Sequence, residues 1–158
     1  MGDQAALMNV EKLAARIPNG AKIAIPPDYT GVAMELTRAM LRRGVRGLHL
    51  VCVPVSGLQA ELLIGAGAVD TLETSAVTLG EYGTAYRFVA GLREKKFHML
   101  DATCPAVHAA IQAAGKGIPF MPLRGMLETD LLKQRPDWKV IDNPFSNGND
   151  PIVLLPAI

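Results

Sequence analysis

The fold class is decided by residues 48–73, LHLVCVPVSGLQAELLIGAGAVDTLE. Residues 48–53 are apolar at nearly every position, which is typical of a strand that is covered on both faces. A helical pattern follows over 56–67, and a second β-like run covers 69–73. A strand, a helix and a second strand in direct succession predict a parallel pair joined by a right-handed crossover.

The same alternation continues on both sides of this unit. Residues 3–17 carry apolar side chains at helical spacing with Asp3 as the N-cap, and the next helix ends at Gly44. Further elements are predicted as strands at 21–25, 97–100, 138–142 and 151–156, and as helices at 78–95 and 105–116. This pattern predicts an α/β fold, an open and mainly parallel sheet flanked by helices, with residues 1–158 as a single domain.

Composition excludes several functional classes. The chain has 158 residues, of which 49% are hydrophobic and 20% are charged, so it is expected to fold. Sixteen Lys and Arg against fifteen Asp and Glu leave a net charge of +1, which gives nucleic-acid binding no support. The apolar runs are too short to span a membrane, and Asp3 and Glu11 interrupt the N-terminal one. Two cysteines are too few for a disulfide framework or a zinc site, so we expect no metal and a cytoplasmic location.

Two pairs of side chains are spaced for chemistry. Cys104 and His108 share a helical face if a helix begins near Thr103, which would allow a nucleophilic pair. Alternatively, Thr103 simply caps an ordinary helix. Glu73 and Glu81 suit acid–base chemistry if a loop folds them together, whereas a Glu81 in the first turn of its helix would only favour the helix dipole.

The other cysteine and two histidines are interpreted as structural. Cys52 lies inside the apolar strand 48–53, where a cysteine behaves as a small hydrophobic residue. His49 and His98 lie in predicted strands with apolar neighbours, and we expect them in the core or at a sheet edge.

The loop at 26–31 lies between a strand and a helix, where open α/β sheets bind ligands. Pro26 and Pro27 lack backbone N–H donors, so the loop cannot be a glycine-rich phosphate cradle. Thr30 and Gly31 still offer a hydroxyl group and a close approach of the backbone. The alternative is that they only begin the next helix.

The loop at 117–125, GIPFMPLRG, is the other binding candidate. Arg124 and Gly125 follow a strand-like run, where an arginine suits a carboxylate or a phosphate. The alternative is that Arg124 pairs with a structural acid such as Asp130.

Several blocks of the sequence occur in the same order and spacing in one known family. The blocks are IAIPPDYTGVAMELTRAMLRRGVRGLHLV, SGLQAELLIGAGAVDTLETSAVTLGEYG, DATCPAVHAAIQAAGKGIPFMPLRG and DWKVIDNPF. From about Gly20 to Ile158, the chain resembles the alpha subunit of family I coenzyme A transferases, the glutaconate CoA-transferase group.

The resemblance implies a subunit that acts on a CoA thioester and small carboxylic acids, with no bound cofactor. It also implies a homologous beta subunit, in a hetero-oligomer, whose glutamate attacks the thioester. No catalytic residue is then expected in this chain, and alone it would be inactive and self-associated. Carried over by position, the substrate-binding candidates are Thr30, Gly31, Ser56, Gly57, Glu81, Arg124 and Gly125.

The chain departs from the family in two places. Pro26 and Pro27 stand where the family usually has a glycine-rich segment, which removes backbone donors from that loop. Family alpha subunits also continue beyond Ile158, so we expect this chain to be truncated relative to them. Two alternatives stay open: a hydrolase of a CoA thioester or of a carbon–carbon bond in a CoA-linked ring substrate, and a non-catalytic binding or scaffolding subunit.

Overall fold

A computed structural model describes residues 7–29 and 31–158 and contains two β-sheets. The helices are α1 (Val10–Ala15), α2 (Met34–Arg43), α3 (Gly57–Gly65), α4 (Tyr86–Arg93), α5 (Cys104–Gly115) and α6 (Leu131–Gln134). The strands are β1 (Lys22–Ala24), β2 (Leu48–Val51), β3 (Val69–Thr74), β4 (His98–Asp101), β5 (Phe120–Leu123), β6 (Lys139–Asp142) and β7 (Pro151–Pro156). No helix within the described residues is long and apolar enough to cross a membrane.

The first sheet is parallel, has the order β1-β2-β3-β4, and is covered on both faces. Leu50 faces a core formed with α1 to α4, and Val51 faces a second core formed with α5 and the second sheet. Leu48, Leu50 and Val51 are fully buried, which is why β2 reads as an almost unbroken apolar run. The α/β fold with an open parallel sheet is therefore confirmed.

The second sheet is antiparallel and has the order β5-β7-β6. Residues 151–156 form its central strand, so they do not extend the parallel sheet. Val153 in β7 pairs with both Leu123 and Val140 and is fully buried against the first sheet and α5. Burial on this inner strand explains the apolar run at 151–156.

Two predicted helices begin later than expected. The described part of the first begins at Val10, where the Asn9 side chain accepts a hydrogen bond from the Lys12 amide at 2.9 Å. The proposed cap Asp3 lies outside the described residues. Residues 78–85 do not open α4, because Thr78 pairs with Thr84 and the segment forms a tight turn.

Three local predictions are confirmed. Gly44 ends α2 in the left-handed conformation at φ 78°, which a residue with a side chain rarely adopts. The Thr103 side chain accepts a hydrogen bond from the Ala106 amide at 3.2 Å and caps α5. Cys52 is almost completely buried, and burial raises the pKa of its thiol to about 12.

A buried ion pair joins the parallel sheet to the segment between α6 and β6. Arg135, after α6, and Glu73, in β3, each expose less than a twentieth of their side chain and lie 2.7 Å apart. Arg135 also pairs with Asp137 at 2.8 Å, and its guanidinium lies 4.5 Å from the centre of the Trp138 ring. His49 contacts the other oxygen of the Glu73 carboxylate at 3.0 Å.

Candidate functional site

The loops that follow the first three strands meet at the carboxyl edge of the parallel sheet. The Asp28 amide donates to the Val55 carbonyl at 2.8 Å, and the Thr78 amide donates to the Pro54 carbonyl at 2.8 Å. The loop after β2 is thus fixed on both sides by its neighbours. This edge is where open α/β sheets bind their ligands.

Asp28 and Gly57 approach each other closely at this edge. The Asp28 carboxylate accepts a hydrogen bond from the Leu58 amide at 3.3 Å, so it lies at the N-terminus of α3. A methyl group on Gly57 would lie 1.9 Å from Asp28 Oδ2, and Gly57 has a φ of +27°. Glycine is therefore required here by both the close contact and the backbone conformation.

Ser56 lies behind this edge and is completely buried. Its hydroxyl accepts a hydrogen bond from the Val53 amide at 3.2 Å and donates to the Ile25 carbonyl at 3.4 Å. These bonds use the hydroxyl to brace the loops after β1 and β2. Ser56 thus shapes the site from within the fold.

A cavity of about 290 Å³ opens at the carboxyl edge of the parallel sheet, and Glu81 lines it. Its lining is formed by Asp28, Tyr29, Val55, Leu79, Gly80, Glu81 and Tyr82. Glu81 lies in the short 3-10 turn Gly80–Tyr82, not in the first turn of α4 as one reading of the sequence had it. Tyr29 and Tyr82 are largely exposed and present two aromatic rings and two hydroxyl groups around the opening. The cavity can hold a small organic group between aromatic, hydroxyl and carboxylate side chains.

The first loop is described only in part. Gly31 has a φ of +63° and open space around its Cα, so the chain turns there through a conformation that favours glycine. Thr30 lies outside the described residues. The structure therefore gives no position for the predicted hydroxyl group.

Arg124 and Gly125 line a different cavity, of about 500 Å³, beside the second sheet. Arg124 forms an ion pair with Asp150 at 2.7 Å, and the Asn143 side chain donates to the same carboxylate oxygen at 2.7 Å. The suggested partner Asp130 instead pairs with Lys133. Among the predicted binding residues, Glu81 therefore lines one cavity, whereas Arg124 and Gly125 line another.

The two spaced pairs do not form catalytic pairs in this structure. Glu73 is buried in its ion pair with Arg135, whereas Glu81 lines the cavity at the loop edge. Cys104 begins α5, and the described residues show no hydrogen bond between the Cys104 thiol and the His108 ring. His98 lies exposed on the edge strand β4, and His49 is half-buried on the inner strand β2.

Asp28, Tyr29 and Tyr82 are the polar lining residues that sequence reasoning did not select. Asp28 and Tyr29 directly follow the two prolines after β1, and this position at the end of a strand was the available signal. Tyr82 gave no such signal, because its turn was interpreted as part of a helix. The described residues contain no cluster of His, Cys, Asp and Glu that could hold a metal ion.

Comparison with protein sequences gives a distant relative. No family model matches the chain. A protein of Archaeoglobus fulgidus, described only as uncharacterized, is 26% identical over 135 residues. The match covers 82% of this chain and 28% of that protein.

Comparison with solved structures shows the fold. The chain matches glutaconate coenzyme A-transferase from Acidaminococcus fermentans with a TM-score of 0.82 and 22% identity, over 95% of this chain and 52% of that one. It matches the decarboxylase AibA/AibB, as its C56S variant, with a TM-score of 0.81 and 22% identity, over 96% and 58%. An acyl-CoA transferase from Escherichia coli O157:H7 gives a TM-score of 0.72 and 13% identity, over 96% and 34%. The chain therefore has a family I CoA-transferase-like fold and spans about half the length of the first two structures.

Proposed function

We propose that this chain is an alpha-type subunit of an enzyme that moves CoA between an acyl-CoA and a small carboxylic acid. The observation that carries the proposal is the match to glutaconate coenzyme A-transferase over 95% of this chain. The cavity formed by the loops at the carboxyl edge of the sheet supports it, because this edge is where such sheets bind ligands.

The nucleophile in this proposal is a glutamate of a homologous beta subunit. Its carboxylate attacks the thioester carbonyl, and the carbon–sulfur bond breaks. The CoA thiolate departs, and an acyl-glutamyl anhydride is formed on the enzyme. The thiolate then attacks the glutamyl carbonyl, which releases the first acid and forms a glutamyl-CoA thioester. The same steps then run in reverse with the incoming acid. Its carboxylate attacks the glutamyl-CoA thioester to form a new anhydride, and the thiolate attacks the new acyl group and leaves with it as the new acyl-CoA.

This chain contributes binding and positioning in the proposal. Gly31 lets the backbone approach the substrate, Gly57 makes room for the Asp28 carboxylate, and Ser56 braces the loops from behind. Glu81 lines the acyl pocket, and the hydroxyl groups of Tyr29 and Tyr82 are available as hydrogen-bond donors. A closed interface with the beta subunit would keep water from the anhydride.

Arg124 and Gly125 form a second binding position in the proposal, for an anionic part of the substrate. A substrate carboxylate or phosphate would compete with Asp150 for the exposed Arg124 guanidinium. Thr30 is the remaining candidate, through its hydroxyl group.

A second reading keeps the fold and changes the reaction. The structural match to the decarboxylase AibA/AibB favours it, since that protein is described by a reaction other than CoA transfer. In this reading the complex would hydrolyse a CoA thioester or cleave a carbon–carbon bond in a CoA-linked substrate. Consumption of acyl-CoA without any acceptor acid would support it over the transferase.

The proposal is tested by expressing the chain alone and together with a beta-like subunit encoded beside it. We expect the lone chain to self-associate and to transfer no CoA from a panel of acyl-CoA donors to acetate, and the complex to transfer it. Light scattering measures the mass of both preparations. Transfer by the lone chain, or a monomer that does not bind the co-expressed subunit, would contradict the proposal.

A pair of matched variants separates a catalytic complex from a scaffold. Glu81→Gln changes the cavity, whereas Glu94→Gln removes the same charge from a surface ion pair with Lys96. We expect Glu81→Gln to lower turnover or raise the KM of the complex, and Glu94→Gln to leave both unchanged. Equal behaviour of the two variants would favour a scaffolding role.

A further inference from the structure

The dipeptide Asn-Gly occurs twice in the chain, in two different environments. Asn19 and Gly20 precede β1, whereas Asn147 and Gly148 lie in the loop between β6 and β7. Asparagine before glycine is prone to deamidation, because glycine has no side chain to shield its backbone nitrogen. The protein therefore holds two chemically identical pairs whose reactivity depends on structure alone.

The first pair is fixed at both reacting groups. The Asn19 side-chain oxygen accepts a hydrogen bond from the Arg46 amide at 3.1 Å. The Gly20 amide, whose nitrogen would be the nucleophile, donates to the Arg46 carbonyl at 3.0 Å. Both hydrogen bonds must break before this nitrogen can reach the side-chain carbonyl carbon.

The second pair lies at the tip of a loop whose base is fixed. Asn147 and Gly148 are exposed, and the Asn147 side chain makes no hydrogen bond among the described residues. The Gly148 amide has only a long contact, 3.4 Å, to the Ser146 hydroxyl. At the base, the Asn143 amide donates to the Asp150 carbonyl at 3.0 Å, so the tip can rearrange without opening the sheet.

We propose that Asn147 is a site of spontaneous deamidation in the folded protein. The Gly148 backbone nitrogen attacks the side-chain carbonyl carbon of Asn147 and forms a carbon–nitrogen bond. The side-chain carbon–nitrogen bond of Asn147 breaks, and its amide nitrogen takes up the proton lost by the backbone nitrogen and leaves as ammonia. Water then opens the resulting five-membered succinimide to aspartate or isoaspartate. The product adds one negative charge to the loop that carries Asp150, the ion-pair partner of Arg124.

Peptide mapping by mass spectrometry tests this inference on the full chain, incubated at mildly alkaline pH and physiological temperature. In the folded protein we expect Asn147 to convert at least about tenfold faster than Asn19, because two hydrogen bonds protect the latter. In guanidinium chloride the two rates should approach each other, since the protection is structural. Equal rates in the folded protein, or no mass gain at Asn147, would overturn the inference.

Gly148→Ala is the matched control. A methyl group at Gly148 would meet no atom within 4 Å, and the residue is not in the left-handed conformation, so the variant should fold normally. The methyl group crowds the attacking nitrogen and should slow conversion of Asn147 about tenfold while leaving Asn19 unchanged. A variant that melts like the wild type and deamidates at the wild-type rate would contradict the mechanism.

Discussion

Replacing Arg135 by methionine is expected to destabilise the protein far more than replacing the other cation that contacts Glu73. Methionine keeps much of the side-chain volume and removes the charge, so Glu73 is left with about 4% of its side chain exposed and no buried cation. Removing one partner of a buried pair costs about 3–5 kcal/mol. For a chain of this size, this corresponds to a fall in Tm of roughly 6–20 °C.

Lys22→Met is the matched control for this prediction. Lys22 contacts the same carboxylate at 3.4 Å, but 43% of its side chain is exposed to solvent. An exposed ion pair contributes about 0–1 kcal/mol, so this variant should unfold near the wild-type temperature. Both are measured by urea unfolding and by calorimetry at neutral pH.

Equal losses of stability in the two variants would refute this reasoning. Such a result would mean that burial of the Arg135–Glu73 pair does not set its contribution. A Glu73→Gln/Arg135→Met double variant completes the cycle, and we expect it to recover part of the loss because no unpaired charge remains.

Three further predictions concern local chemistry. Burial lowers the pKa of His49 below its usual 6.5, so the unfolded state binds more protons than the folded state just below this pH. The stability of the fold should therefore fall as the pH drops below about 6.5. In thermal melts, His49→Gln should flatten this dependence. A thiol reagent at mildly alkaline pH should label Cys104 in the folded protein and Cys52 only after unfolding. Gly57→Ala should cost about 1–3 kcal/mol by urea unfolding, and part should be recovered when Asp28→Ala removes the clash. Labelling of Cys52 in the native state, a pH dependence unchanged in His49→Gln, or a neutral Gly57→Ala would contradict them.

Features set by near neighbours in the sequence were predictable. The apolar run at 48–51 and the left-handed Gly44 each follow from a few adjacent residues, and so does the cap at Thr103. Strand direction in the second sheet was not predictable in this way. It depends on long-range pairings such as that of Leu123 in β5 with Val153 in β7. A local sequence pattern does not indicate which strands pair.

The candidate site was predictable in position and only partly in content. The loops after the strands were selected because parallel strands end at one edge, and Glu81 does line a cavity there. The contact of Asp28 with Gly57 was not foreseeable. A glycine in the sequence indicates neither a positive φ nor which residue lies against it. The ion pair of Arg135 with Glu73 spans 62 positions, so its partners could not be matched from sequence.

Isotope exchange in the complex with the beta-like subunit distinguishes CoA transfer from hydrolysis of the thioester. The complex is incubated with an acyl-CoA and the corresponding isotopically labelled carboxylic acid, and both labelled acyl-CoA and free CoA are measured. If the complex transfers CoA, label enters the acyl-CoA while the total thioester stays constant. Steady release of free CoA with no label in the acyl-CoA would contradict CoA transfer.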